Sequence, residues 1–188
     1  MAPRGERQTP GVTTIEPVLS SSDFRALFER ELGYVLETLR RLGVARPDVE
    51  DMAHEVFVAV LKQFDAYDRS RPLKPWLFGF AFRVASQYKR KARRTEALEE
   101  PEKIADAARG PDARYEHARR RRMVQLALDE IDLDRRAVFV LHDIDECTGD
   151  EIARALEIPL GTVYTRLRLA REDFAAKMKR LKARGMLE

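Results

Sequence analysis

Thr148-Gly149-Asp150-Glu151-Ile152-Ala153-Arg154-Ala155-Leu156-Glu157-Ile158-Pro159-Leu160-Gly161-Thr162-Val163-Tyr164-Thr165-Arg166-Leu167-Arg168 reads as a short helix, a tight turn and a second helix. Thr148 followed three residues later by Glu151 is a capping box: the hydroxyl takes a backbone N–H and the carboxylate reaches back. Ile152, Ala153 and Leu156 then face inward, Glu157 to Gly161 makes the connection, and Val163 and Leu167 anchor the second helix. The small Ala153 lets the two helices cross closely. Thr162, Tyr164, Thr165, Arg166 and Arg168 cluster at the start of the second helix, where a helix-turn-helix meets base edges. Residues 162–184 carry eight basic side chains against Glu172 and Asp173, which suits phosphate contacts along a groove. A solvated helical hairpin would carry the same charges. The box, the small crossing residue, the turn and the basic second helix together point to DNA.

Working outward, the 188 residues hold 35 basic and 32 acidic side chains, a net charge of +3. That excludes a uniformly basic coat, so the charge is segregated. The single cysteine, Cys147, has no internal disulfide partner and reads as a small buried filler. Apolar runs such as Val138 to Leu141 are too short to span a bilayer, and residues 1–20 read as a polar, disordered tail rather than a signal peptide. Phe24, Leu27, Phe28, Val35, Leu36, Leu39 and Leu42 share one helical stripe, closed by Gly43. A second helix starts at Pro47-Asp48, with Asp48 as N-cap and Val49, Met52, Ala53, Val56, Phe57, Val60, Leu61 and Phe64 inward. After a loop over 65–74, Pro75 suits the first turn of a third helix. Leu77, Phe80, Ala81, Val84, Ala85 and Tyr88 face inward there, and Phe78 and Phe82 fall outside that stripe.

Residues 95–118 are rich in acid and poor in large apolar side chains, the composition of a linker. Helical periodicity returns after Arg119-Arg120-Arg121-Arg122. The expected fold is all-α: two small helical domains, 21–94 and 119–188, joined by a flexible acidic linker, the second containing the helix-turn-helix. No catalytic set is visible. His54-Glu55 lacks a second histidine at metalloprotease spacing, the three histidines and Cys147 make no metal-ligand pattern, and there is no phosphate-binding glycine loop. His142-Asp143 reads as a helix-end pair. No cofactor and no enzymatic activity are expected.

Two blocks in the first domain carry further information. Asp51, His54, Glu55 and Val58 share a face opposite the apolar stripe, at i, i+3, i+4, i+7 spacing. An acidic face with an exposed aliphatic suits a basic helical partner; favouring the positive end of the helix explains Asp48 and Asp51 equally well, but Glu55 poorly. Trp76, Phe78, Phe80, Phe82 and Tyr88 are interleaved with Arg83, Lys89, Arg90, Arg93 and Arg94. Aromatics stack on unpaired bases while cations hold the strand, although Trp76 and Phe80 also suit a core.

Glu151 to Leu167 resembles the promoter-reading C-terminal domain of bacterial sigma factors, most of all the extracytoplasmic-function group. It departs from that pattern at Glu157, usually Gly, and at Tyr164, often Lys. Asp48 to Val58 resembles the sigma segment that docks on a coiled coil of the largest polymerase subunits. Arg71 to Arg83 is similar to the segment that melts and holds the minus-ten element, with Arg83 where Asn is frequent. The resemblance implies core-polymerase docking by Asp51, His54, Glu55 and Val58. It implies minus-ten contacts by Tyr67, Arg69, Arg71, Lys74, Trp76, Arg83, Gln87 and Arg90, the loop Tyr67 to Lys74 capturing a flipped base. It implies minus-thirty-five contacts by Thr162, Tyr164, Thr165, Arg166, Arg168 and Arg171. The implied partners are core RNA polymerase, promoter DNA in duplex and single-stranded form, and an anti-sigma factor, in the cytoplasm and without membrane insertion. The competing expectation is a stand-alone helix-turn-helix regulator binding duplex DNA as a dimer. Such a protein needs neither the aromatic–basic block nor the acidic face.

Overall fold

The computed structural model describes residues 21–96 and 113–184. The tail over 1–20 and most of the acidic linker lie outside the described residues. All regular structure among these residues is helical. The first half comprises α1 (Ser21–Arg41), α2 (Val49–Lys62) and α3 (Leu73–Glu96); the second comprises α4 (Ala113–Asp129), α5 (Leu133–Phe139), α6 (Gly149–Leu156) and α7 (Leu160–Ala183). α4 thus begins inside the segment that composition assigns to the linker.

α1, α2 and α3 pack pairwise around Val35, Leu39, Ala53, Val56, Phe57, Val60, Leu77 and Ala81, all buried. Edge contacts of Phe24 on Phe64 (5.5 Å) and Phe28 on Phe57 (4.6 Å) close one end. α1 stops where Gly43 takes φ +86°. The Val44 N–H reaches the Leu39 carbonyl (3.0 Å) and the Gly43 N–H that of Arg40 (2.9 Å), a pairing that satisfies the last carbonyls of a helix. A Cβ at 43 would also fall 2.5 Å from the Arg136 guanidinium, so glycine serves both the backbone and a close approach. Asp48 stands at the N-cap position of α2, but its side chain caps nothing. Instead it accepts the Tyr88 hydroxyl at 2.7 Å, tying the start of α2 to α3. Phe78 departs from expectation and is fully buried. α3 packs against α1, α2 and α6, so more than one of its faces is covered.

In the second half α7 packs against α4, α5 and α6. α5 continues as a π turn over Val140–Ile144, in which the Asp145 N–H reaches back five residues to the Val140 carbonyl (2.9 Å). The capping box forms as the sequence predicts: Thr148 Oγ1 accepts the Glu151 N–H, and the Glu151 carboxylate accepts the Thr148 N–H at 2.8 Å. α6 ends like α1, with Ile158 N–H on the Ala153 carbonyl (3.0 Å), but the left-handed residue is Glu157, φ +56°. A side chain there costs about 1 kcal/mol.

The two halves pack against each other: one apolar cluster runs through both. α6 lies against α3, and α4 meets α1. Tyr34 donates to Asp145 (2.7 Å), Gln125 to the Arg40 carbonyl (2.8 Å), and Arg136, 1% exposed, to the Arg41 carbonyl (3.4 Å). Arg136 also donates to Asp129 (3.2 Å) and through two nitrogens to the Ile131 carbonyl (3.3 and 3.0 Å).

Candidate nucleic-acid and polymerase interfaces

The apolar stripe of α2 turns Asp51, His54, Glu55 and Val58 together to the outside. Leu61, which the apolar period assigns to the core, joins them and is 54% exposed; Val58 is 40% exposed. The inward places at this end of α2 belong to Val60 and Phe64, and position 61 is rotated about 100° from Val60. The face is therefore an acidic patch with two adjacent aliphatics. Only the i+3 spacing from Val58 could have pointed to Leu61 in advance.

On α3, Trp76, Gly79, Arg83, Gln87 and Arg90 follow one another at intervals of three or four and form one stripe. Trp76 packs on Phe80 (4.9 Å) and receives the Tyr67 ring (4.6 Å). The loop before α3 is fixed from within. The Asp68 carboxylate accepts the Ser70 N–H (3.0 Å) and hydroxyl (2.6 Å) and pairs with Arg71 (2.9 Å), and these contacts, the Ser70 bonds foremost, hold its carboxyl below the usual range. Tyr67 donates to the Arg71 carbonyl (2.6 Å). Tyr67, Arg71 and Trp76 thus come together and line a cavity of about 160 Å³ whose opposite wall is Glu151, Arg154 and Ala155 of α6. Arg69 and Lys74 are exposed beside it, Lys74 above the Tyr34 ring (5.6 Å). Arg83 lies on the Phe80 ring (4.6 Å) and donates to Glu157 (3.1 Å). Gln87 and Arg90 are exposed farther along α3. Both the internal staple of the loop and the α6 wall escape a reading by sequence, the first being short-range but irregular, the second a contact between distant segments.

At the head of α7 Val163 and Leu167 are buried against the core, as predicted. Thr162 is half-buried, and the Thr165 hydroxyl bonds back to the Gly161 carbonyl (2.9 Å). Arg166 is turned to Asp134 (2.6 Å) and partly buried; Arg168 pairs with Glu172 (2.7 Å). Arg171 grips both oxygens of Asp143 (2.6 and 2.8 Å), and this donor holds the Asp143 carboxyl below its ordinary range. The exposed apolar groups at the helix head are Tyr164, 56% exposed, and Leu160, 38% exposed. Both lie over Gly149, where a Cβ would meet the Tyr164 hydroxyl at 2.8 Å and Leu160 Cδ1 at 2.9 Å. Leu160 was not among the expected contacts; its place between Pro159 and Gly161, at the very start of the second helix, was its only sign.

His142 pairs with Asp143 (2.7 Å). Burial, with Asp145 nearby, pushes the Cys147 thiol up to about 12, so it stays protonated and unreactive. Among the described residues no group of three or more histidine, cysteine, aspartate or glutamate side chains is placed to hold a metal ion, and no helix is long and apolar enough to cross a membrane.

Residues 27–95 match the family model Sigma-70 region 2, and residues 121–174 match Sigma-70, region 4. The chain is 29% identical over 166 residues to the RNA polymerase sigma factor CnrH of Cupriavidus metallidurans, covering 81% of this chain and 85% of that protein. It is 30% identical over 143 residues to the ECF RNA polymerase sigma factor SigE of Mycolicibacterium smegmatis, covering 73% of this chain and 55% of the relative. With ECF RNA polymerase sigma factor SigW of Bacillus subtilis it shares 27% over 144 residues, 71% of this chain and 77% of the relative. In fold it is similar to CnrH solved with the cytosolic domain of CnrY (TM-score 0.60, 24% identity, 85% of this chain and 90% of that one). It is also similar to RpoE solved with the anti-sigma factor NepR from Bartonella quintana (TM-score 0.67, 19% identity, 84% and 98%). With both region models matched in chain order and relatives of one kind along most of its length, the chain belongs to the sigma-70 family, as an alternative sigma factor of the extracytoplasmic-function group that directs transcription initiation by RNA polymerase.

Proposed function

We propose that three surfaces divide the work of initiation. The outer face of α2, with Asp51, His54, Glu55, Val58 and Leu61, docks on a basic helical element of core RNA polymerase. The loop Tyr67 to Lys74 and the α3 stripe through Trp76, Arg83, Gln87 and Arg90 hold the separated minus-ten strand by stacking and charge. The head of α7, with Thr162, Tyr164, Thr165 and Arg168, enters the major groove of the minus-thirty-five element, and Arg166 and Arg171 reach phosphates after exchanging their carboxylate partners. The domains that carry these surfaces are 21–94 and 119–188. The protein works in the cytoplasm by binding and strand separation, with no covalent step, and an anti-sigma partner covers its polymerase-facing surface between uses.

The observation that carries this reading is the acidic and aliphatic face of α2, uncovered on the same chain as a helix-turn-helix. A dimeric repressor has no use for it. Asp51→Lys combined with Glu55→Lys should abolish co-migration with purified core polymerase while helix content by circular dichroism is unchanged, because both side chains are exposed. Normal co-migration of the double variant would overturn the docking assignment.

A further inference from the structure

We propose that Glu172 determines specificity at the upstream contact: it holds the Arg168 guanidinium edge-on to a single guanine and keeps it from the DNA backbone. The inference deepens, and rests on, the reading of α7 as the helix that enters the minus-thirty-five element. α7 carries two acidic side chains, Glu172 and Asp173, among many cations. Asp173 has a place in the fold, since it accepts Arg135 of α5 at 2.7 Å. Glu172 has none. It stands opposite the buried line of Val163, Leu167 and Ala170, on the outward face that runs through Gly161, Thr165 and Arg168 at intervals of three or four. Its one partner among the described residues is Arg168, at 2.7 Å.

Helix stability does not account for this pair. Both side chains are largely exposed, where an ion pair contributes little. The cation precedes the carboxylate, the poorer order for an i, i+4 pair, and neither residue lies in an end turn, where a charge would meet the helix dipole. Facing DNA, a carboxylate on a basic helix is repelled by phosphates and lowers affinity. Its effect is on direction instead. Thr162 to Arg168 spans about 9 Å of helix, within a major groove about 12 Å wide, and Glu172 falls about 6 Å beyond, toward the phosphate wall. An unpaired arginine at 168 could swing along the helix to that wall; Glu172 repels the wall and takes up Nη1. The edge that remains, Nε with Nη2, offers two parallel N–H donors, the pattern that fits guanine O6 and N7. The neighbouring arginines are turned elsewhere: Arg166 to Asp134, and Arg171 to both oxygens of Asp143.

The test uses a promoter selected by run-off transcription of genomic fragments with purified core polymerase. Each guanine of its minus-thirty-five element is replaced in turn by 7-deazaguanine, which has C–H in place of N7, and each base pair is exchanged in turn. Holoenzyme affinity for these duplexes is measured by fluorescence anisotropy at several salt concentrations. At one guanine the natural protein should lose about fivefold on 7-deaza substitution, and Arg168→Ala less than about twofold. Glu172→Ala should show the same relaxation at that guanine, while its salt dependence steepens by about one phosphate contact as the released arginine moves to the backbone. A purely structural residue would weaken all duplexes alike. If Glu172→Ala keeps the full loss at that guanine, the positioning role is overturned and Arg168 remains the reader. If no guanine responds, yet Tyr164→Ala or Thr165→Ala changes the preferred base at some position, guanine readout is overturned and α7 remains the groove helix. If none of the four variants changes preference at any position, the reading of α7 falls and this inference with it.

Discussion

Exchanging thymine for uracil, one position at a time, in the upstream promoter element removes a single methyl group, and the head of α7 makes that methyl informative. Arg166, Arg168 and Arg171 each have a carboxylate partner, and the Thr165 hydroxyl bonds to its own helix. The apolar groups exposed there are Leu160 and the Tyr164 ring, held in place over Gly149. In the major groove the group that answers an apolar side chain is the thymine 5-methyl. Burying one such carbon contributes about 0.8 kcal/mol, or about a fourfold change in affinity at room temperature. The element is first obtained by run-off transcription from genomic fragments with purified core polymerase. Holoenzyme affinity is then measured by anisotropy on duplexes bearing single uracils. At one or two positions uracil should weaken the natural protein about fourfold, while for Tyr164→Ala the same exchange should cost less than twofold. The ring is exposed, so this variant should fold within about 0.5 kcal/mol of the natural chain. If no thymine responds, or if Tyr164→Ala retains the full fourfold loss, apolar readout by this helix is refuted.

Leu61→Ser should leave folding stability within about 0.5 kcal/mol yet weaken core-polymerase binding about fivefold, the effect of losing about 1 kcal/mol of apolar burial on docking; unchanged affinity by titration onto immobilised core would place Leu61 outside the interface. Arg136→Met keeps the buried stem but strips partners from the Ile131 carbonyl, at a cost of about 1–3 kcal/mol. Arg136→Ala should lose about 2 kcal/mol more through the missing stem, and equal midpoints for the two variants in urea would refute that division. Asp143 has its carboxyl held low by Arg171, so it contributes stability present at neutral pH and lost as the pH falls through its lowered value. The melting-temperature gap between the natural chain and Asp143→Asn should therefore be full at pH 7 and shrink below the usual carboxylate value of 3.8; a gap undiminished at pH 2 would refute the ion pair's role.

What could be read from the chain alone follows the range of the forces involved. The Thr148–Glu151 box, the stop at Gly43 and the buried pair Val163 and Leu167 depend on neighbours within a turn or two, so residue order carries them. The outward set Asp51, His54, Glu55 and Val58 followed from the helical period once the inner stripe was known. Leu61 and Phe78 went astray for opposite reasons: one lies at a helix end where Val60 and Phe64 take the inward places, the other on a helix covered from more than one side. The pairing of Arg166 with Asp134 joins residues 32 positions apart, and that of Arg83 with Glu157 joins residues 74 apart. Nothing local marks either. Glu157 and Arg83 each depart from the family pattern, and only the fold shows that they touch.

The π turn at Val140–Ile144 constrains how this chain can gain or lose residues. A π turn amounts to one residue inserted into an α-helix, so deleting a residue here would leave a locally better helix. The same deletion would rotate whatever follows it by about 100°. If it fell before Asp143, it would carry that carboxylate away from Arg171, and Asp145 away from Tyr34 and Arg41. The length of this segment is thus held by partners on α7 and α1 rather than by its own backbone. Relatives one residue shorter at this place should lack those partners too, a correlation that aligned sequences of the family can display without any further structure.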